Sequence, residues 1–315
     1  KSQRDNGSQD LPVIEGMELS SASAGLYKKQ RDDVCFFYFK EGATFAGVYT
    51  KSSTKSHCIM WNKSITSKKI KALFVNTKNA NTLNGQQGYT SIKELAYLIS
   101  RNKNISVKDI LFASTGVIGE KFPLLKVKYS IDKLMSKTMK PNKFEWIAAA
   151  NAIMTTDTIA KMTSESFQVN NKKINIAGIA KGSGMVFPNM GTMFGFIFTD
   201  ANISPSILNY FLKKNIEETF NAISVDGDTS TNDMVLLFST NKSKNKLITN
   251  KNSPAAKIFE QKLKIVMLDL AKKIVADGEG AQKFISINIA NCKNKNLAKS
   301  IGFSIANSPL VKTAI

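Results

Sequence analysis

The sequence predicts a layered α/β or α+β body, and three features carry that expectation. Runs rich in β-branched and aromatic residues interleave with stretches of helical periodicity, without a regular βαβ count. The composition, 43% hydrophobic and 22% charged over 315 residues, is that of a globular chain long enough to bury a substantial core. No window approaches ~18 consecutive apolar residues, so no membrane span is expected.

In chain order, strands are predicted over Ile70–Asn76 (IKALFVN), Asp109–Ser114 (DILFAS), Met193–Thr199 (MFGFIFT), Asp233–Ser239 (DMVLLFS) and Phe284–Ala290 (FISINIA), each short, apolar and rich in Val, Ile or Phe. Ser166–Ala177 reads as a hairpin, because two alternating runs flank the polar turn Asn170–Lys173. Helical periodicity marks Ile92–Ser100, Phe144–Met154, Pro205–Ala222 and the long Pro254–Ala276, whose stripe is Ile258, Leu263, Val266, Met267 and Leu270. Such stripes are core contacts.

The formal charge is +20, which raises the question of an anionic partner. The lysines are scattered among many asparagines, with no arginine stripe, aromatic-rich basic patch or zinc finger. The charge therefore reads as compositional, and neither nucleic acid nor membrane is an expected partner. Cys35, Cys58 and Cys292 are far apart, odd in number and form no CxxC pair, which fits a reducing, cytoplasmic setting. The polar N-terminus lacks the apolar core of a secretory signal and starts on Lys1, as in a processed or partial chain. His57 is the single histidine, so a site needing two imidazoles, and with it zinc chemistry, is not expected. A triad built on His57 stays a matter of geometry; a lone histidine beside Cys58 in a Lys/Ser-rich stretch is ordinarily structural.

The chemistry-bearing stretches are loops rich in glycine and small polar residues: Asn76–Gly88, Ser114–Glu120, Met154–Thr158, Lys181–Thr192, Asp226–Asp233 and Asp277–Ala281. Several follow a strand, where loops commonly carry site residues. KGSGM is not GxGxxG, and no GxxxxGK[ST] occurs, so a nucleotide phosphate loop is not supported. DGDTSTND starts like a calcium loop, but Thr231 and Leu237 fall where Gly and Glu are needed.

One option needs no histidine. A threonine hydroxyl is a weak nucleophile without an adjacent base. Cleavage of the chain just before a threonine supplies one, an α-amine of pKa about 7.7–8.0. Thr192 suits this role. Gly191 before it permits a strained backbone, and the apolar strand after it fixes the nucleophile on a rigid element.

From about Ala46 to Ile315, the ordered motifs VNTKNANTLNGQQG, STGVIGE, MTTDT, KGSGMVFPNMGT, DGDTSTND, DGEGA and SIANSPLVKTAI resemble the bifunctional ornithine acetyltransferase / glutamate N-acetyltransferase family of arginine biosynthesis. The resemblance implies the self-cleaving N-terminal-threonine acyltransferase fold of the ornithine acetyltransferase / aminopeptidase type. It implies cleavage between Gly191 and Thr192, giving an α fragment (1–191) and a β fragment (192–315) that stay together, as a heterotetramer of two α and two β. Thr192 then carries the acetyl group from N2-acetylornithine to glutamate. Substrate contacts map to Thr155, Lys181, Thr192 and Glu279, and oxyanion stabilisation to Thr115 and Gly116. Lys181 suits a carboxylate, and Glu279 an amino group. Asp157, Asp226 and Asp228 read as supporting loop acids. No cofactor or metal is implied, with acetyl-CoA an optional acetyl donor.

Gly191 stands where the family usually has Ala, and Gln282 where Thr is common. The family continues past SPLVKTAI into a segment with two further substrate contacts, so the resemblance also implies a C-terminally truncated chain with exposed apolar surface near its end. The rival readings are an aminopeptidase or amidohydrolase of the same self-cleaving type, with water as acceptor, and a basic nucleic-acid-binding protein.

Overall fold

The computed structural model describes residues 10–187 and 193–315. Its strands are β1 (Glu18–Ala22), β2 (Val34–Tyr49), β3 (Ile70–Asn76), β4 (Ile110–Ser114), β5 (Lys161–Val169), β6 (Lys172–Lys181), β7 (Phe194–Thr199) and β8 (Met234–Ser239). The helices are α1 (His57–Ser64), α2 (Gly85–Lys103), α3 (Leu124–Ser136), α4 (Lys143–Ala152), α5 (Pro205–Ile216), α6 (Pro254–Ala276), α7 (Lys295–Ala306) and α8 (Pro309–Ala314).

The strands run in the order β4-β3-β2-β8-β7-β6-β5, with β1 beside β2. The long β2 is the hinge. Its first part pairs with β1 and β3, an irregularity falls between Tyr38 and Ala43, and its second part pairs antiparallel with β8. Two half-sheets result, folded face to face. Because side chains alternate across a strand, Phe37, Leu73, Val75 and Leu111 from one half meet Phe194, Phe196, Phe198 and Phe238 from the other in a shared aromatic interior. Phe37 and Phe198 stack with centroids 4.8 Å apart. The opposite alternation sends Phe36, Phe74 and Phe112 outward against α2 and α3, and Ile176, Ile197, Val235 and Leu237 outward against α5 and α6. The result is four layers, helix–sheet–sheet–helix, with both sheets covered on both faces. That explains why β3, β4, β7 and β8 read as continuous apolar runs.

The β5–β6 hairpin closes through Asn170 and Asn171, at φ +49° and +60°, the left-handed pair that a two-residue hairpin turn requires. Two expectations are corrected. The Pro205–Ala222 helix stops at Ile216, and a short 3₁₀ turn covers Phe220–Ala222. Here Asn215 Nδ2 donates to the Phe211 carbonyl at 2.9 Å and Thr219 Oγ1 to the Asn215 carbonyl at 2.8 Å, side-chain bonds that disturb the helical ladder. Phe284–Ala290 is not a strand. No neighbouring strand pairs with it among the described residues, and a strand is stable only where its backbone groups find partners. The stretch beyond it packs loosely: α7 and α8 bury no residue, and Leu310 is 81% exposed. Among the described residues no helix is long and apolar enough to cross a membrane.

Candidate active site

One end of the second half-sheet gathers the loops. β6 runs antiparallel to β5 and β7, so its last residue, Lys181, lies opposite Phe194 at the start of β7. Lys161 at the start of β5 lies opposite Ala180, and Met234 opens β8 beside Phe194. The loops 155–158, 182–187 and 226–233 therefore converge there.

Thr115 and Gly116 come from the other half-sheet, just after β4. Thr115 is buried, its N–H donates to the Asn76 carbonyl at 3.1 Å, and its hydroxyl oxygen accepts from Lys181 Nζ at 3.4 Å. Gly116 adopts φ +134° against the backbone of Lys78 and Asn79, where a Cβ would fall 2.2 Å from the Lys78 carbonyl carbon. Only glycine fits so close an approach. Asn232 fastens this loop from the DGDTSTND side: its Nδ2 donates to the Ala80 carbonyl at 2.5 Å and to the Ser114 carbonyl at 2.6 Å, while its Oδ1 accepts from Thr82 Oγ1 at 2.9 Å.

Lys181 is 2% exposed, and burial pushes its ammonium pKa down, against the fields of Asp157, Asp233 and Glu279. Asp233, fully buried, accepts from the Met193 N–H at 2.8 Å, and burial drives its carboxyl pKa well up. It thereby pins the first described residue of the β7 segment. Gly191 and Thr192, the predicted cleavage pair, lie outside the described residues. In the loop after β6, Met185 N and Val186 N donate to the Asp226 carboxylate at 2.5 Å and 3.0 Å.

Thr155 and Glu279 arrive on neighbouring loops. The Thr155 N–H donates to Asp157 Oδ2 at 3.0 Å, and Glu279 N donates to the Ser183 carbonyl at 2.8 Å. The Glu279 side chain is exposed and lies over Gly184, where a Cβ would meet its carboxylate at 2.6–2.7 Å. Thr115, Gly116, Lys181 and Met193 thus surround one place, with Thr155 and Glu279 on adjoining loops, an arrangement suited to acyl transfer from a small charged molecule. Among the described residues no group of three or more His, Cys, Asp or Glu forms a metal cluster.

Sequence reading missed Lys161, which is fully buried and bridges Asp157 Oδ1 at 2.7 Å and Asp277 Oδ2 at 2.6 Å. A lysine at the head of a strand ordinarily reads as solvated; two acidic motifs flanking it in space are invisible in the linear chain. The His57 backbone N–H donates to the Asn81 carbonyl at 3.1 Å, and the preceding Ser56 N–H to the Thr231 carbonyl at 3.0 Å. The His57 ring lies 6.4 Å from that of Tyr89, and burial lowers its pKa. Among the described residues no hydrogen bond joins the imidazole to Thr115, Lys181 or Met193, and a triad built on it finds no support in this geometry.

The profile of the ArgJ family matches residues 18–315, beginning earlier than Ala46, where the motifs become legible. The chain is 41% identical to the arginine biosynthesis bifunctional protein ArgJ of Bradyrhizobium diazoefficiens, over 97% of this chain and 74% of that relative. It is 38% identical to the protein of the same name from Zymomonas mobilis, again over 97% and 74%. The crystal structure of arginine biosynthesis bifunctional protein argJ from Bacillus halodurans superposes with a TM-score of 0.53 at 29% identity, covering 56% of this chain and 91% of that one. With the profile spanning nearly the whole chain and relatives this similar over their matched length, the chain belongs to the ArgJ family.

Proposed function

We propose that the protein is a glutamate N-acetyltransferase of arginine biosynthesis that moves an acetyl group from N2-acetylornithine to glutamate through an ester on Thr192. The observation that carries this reading is the convergence of the Thr115–Gly116 loop and Lys181 on the start of β7, where Asp233 holds Met193 N at 2.8 Å, one residue after Thr192.

Cleavage of the Gly191–Thr192 peptide frees the Thr192 α-amine. In the first half-reaction Thr192 Oγ attacks the acetyl carbonyl carbon while its proton passes to that amine. The tetrahedral oxyanion is met by the Thr115 hydroxyl and the Gly116 N–H, which has no acceptor among the described residues. Collapse breaks the acetyl C–N bond; the departing ornithine nitrogen takes the proton from the α-ammonium, and the acetyl ester remains. In the second half-reaction the glutamate amine attacks the ester carbonyl, its proton returns through the α-amine to Thr192 Oγ, and N-acetylglutamate leaves. Lys181 holds the substrate carboxylate, while Glu279, over Gly184, faces the amino group. A covalent intermediate of this kind gives ping-pong kinetics.

On this reading residues 1–191 and 192–315 are the α and β fragments, the working unit is a cytoplasmic assembly of two of each, and acetyl-CoA serves as an additional donor. Mass spectrometry of the purified protein provides the test. Two fragments are expected, the second beginning at Thr192, and Thr192→Ala should remain one chain and transfer no acetyl group. A fully active, uncut protein would overturn the mechanism, and release of free acetate unaffected by glutamate would make water the acceptor.

A further inference from the structure

Three loops of the site meet at a buried ion cluster that the reaction above does not use. Lys161 Nζ donates to Asp157 Oδ1 at 2.7 Å and to Asp277 Oδ2 at 2.6 Å. Asp157 Oδ1 also accepts from the Gly182 N–H at 2.7 Å, and its Oδ2 from the Thr155 N–H at 3.0 Å. Asp277 Oδ2 accepts from the Thr158 N–H at 2.9 Å, and its other oxygen accepts from the Thr158 hydroxyl. Every carboxylate oxygen of the pair is occupied.

Lys181 is treated differently. It is buried like Lys161, and Asp157 exerts the largest favourable field on it. Asp157 and Asp277 pair with Lys161, and among the described residues the Lys181 ammonium makes no ion pair; its hydrogen bond there runs to Thr115 Oγ1 at 3.4 Å. A buried ammonium beside a carboxylate would ordinarily close onto it, because the uncompensated charge is costly. Here Lys161, with the N–H groups of Gly182 and Thr155, already fills the acceptor positions of Asp157.

We propose that Lys161 is a positioning residue that occupies Asp157 and so keeps the Lys181 ammonium free for the carboxylate of the incoming amino acid. The inference rests on the reading of Lys181 as the carboxylate contact. Lys161 touches no substrate. It acts by removing a competitor for the cation that does, and by tying the Thr155, Gly182 and Glu279 loops to one centre through Asp157 and Asp277. Without it, Asp157 turns to Lys181, and the substrate carboxylate must displace an internal one.

The test compares two ligands that differ only in the carboxylate: ornithine and 1,4-diaminobutane. Binding of each is measured by calorimetry on the purified protein, its Lys161→Met variant and the double variant Lys161→Met/Asp157→Asn. Lys161→Met should weaken ornithine binding by about tenfold or more, the scale expected when an internal carboxylate competes for the ligand's cationic partner, and change diaminobutane binding by less than about threefold. Adding Asp157→Asn removes the competing charge and should restore most of the preference for ornithine. A structural role alone would weaken both ligands together, and the second substitution would weaken them further; either result overturns the proposal. Lys161→Ala, which likewise removes the donor to both acids, undergoes the same comparison should the Met variant not fold, with the same rescue expected. Lys181→Met separates the two assignments. If it leaves the preference for ornithine intact, the carboxylate role of Lys181 fails and this proposal falls with it. If it abolishes the preference while Lys161→Met does not, only the role of Lys161 is refuted.

Discussion

Gly116→Ala would place a Cβ 2.2 Å from the Lys78 carbonyl carbon, 2.4 Å from its oxygen and 2.6 Å from Asn79 N. Carbon atoms in contact settle at about 3.5–4.0 Å, so the two backbones must separate by roughly 1.3 Å. The Lys78–Ala80 segment cannot yield alone: the Val117 N–H donates to the Lys78 carbonyl at 3.0 Å, and the Ala80 N–H to the Val117 carbonyl at 2.9 Å. The movement falls on the 115–117 turn, whose donors must lie within about 2.7–3.1 Å of the developing oxyanion. Losing one such donor lowers kcat by about 10²–10³, or ~2.7–4 kcal/mol of transition-state stabilisation, with little change in KM because the interaction matures only in the transition state. The φ of +134° adds backbone strain of ~1–3 kcal/mol against folding. Steady-state transfer from N2-acetylornithine to glutamate measures the first effect and thermal unfolding the second. Gly119→Ala is the matched control: it sits in the same loop at φ +83° with nothing within 4 Å of its Cβ, so it should lose stability while retaining kcat within about threefold. A Gly116→Ala enzyme with near-parental kcat, or a Gly119→Ala enzyme equally impaired, would refute the close-approach reasoning.

Two more perturbations probe the supports of the site. Asn232→Ala removes the amide that donates to the Ala80 and Ser114 carbonyls. Ala80 keeps the Thr82 hydroxyl at 3.2 Å, whereas the Ser114 carbonyl loses its side-chain donor, and a buried group left unsatisfied costs ~1–3 kcal/mol. Denaturant unfolding should show a loss on that scale, and a change under about 0.5 kcal/mol would mean that water replaces the amide. Asp157 is buried, yet the ammoniums of Lys181 and Lys161 and the Gly182 N–H hold its carboxyl at about 2 against an ordinary 3.8. Its stabilisation is therefore complete above pH ~4 and lost as the pH falls toward 2, a contribution of ~2 kcal/mol. Asp157→Asn should flatten the acid limb of the stability profile by that amount, and parallel profiles for parent and variant would exclude the ion cluster as its source.

Where one segment carries its own pattern, the fold is legible in the sequence. The strands at Ile70–Asn76 and Phe194–Thr199 and the helix at Pro254–Ala276 appear where their residues predict them. Segments whose structure depends on distant partners are not legible. The sixteen residues of β2 include Lys40, Glu41 and Gly42, which interrupt the apolar alternation at the place where the strand passes from one half-sheet to the other. Helix α1, HCIMWNKS, has no clean apolar stripe, because Trp61 and Asn62 are both buried and donate to the Ile110 and Phe112 carbonyls of β4. Phe284–Ala290 shows the reverse failure: the pattern of a strand is present, and among the described residues no strand pairs with it. In the site, glycine and small polar loops point to Thr115, Gly116, Lys181 and Glu279 through their motifs. Lys161, Asp233 and Asn232 acquire meaning only once the sheet brings their loops together.

The strand order has a consequence for a molecule severed between Gly191 and Thr192. The second piece contributes β7 and β8, and both lie in the middle of the sheet, wedged between β6 and β2 of the first. One flank is zipped from Lys181↔Phe194 to Ile176↔Thr199, the other from Thr44↔Ser239 to Tyr49↔Met234. The joint is a dovetail. Neither piece can slide out without opening both seams and exposing the phenylalanines of the interior, so parting and unfolding are one event. The nicked protein should therefore melt in a single transition whose midpoint falls as the protein is diluted, because the two pieces separate as they unfold. Pieces from two differently labelled batches, mixed while folded, should not trade partners.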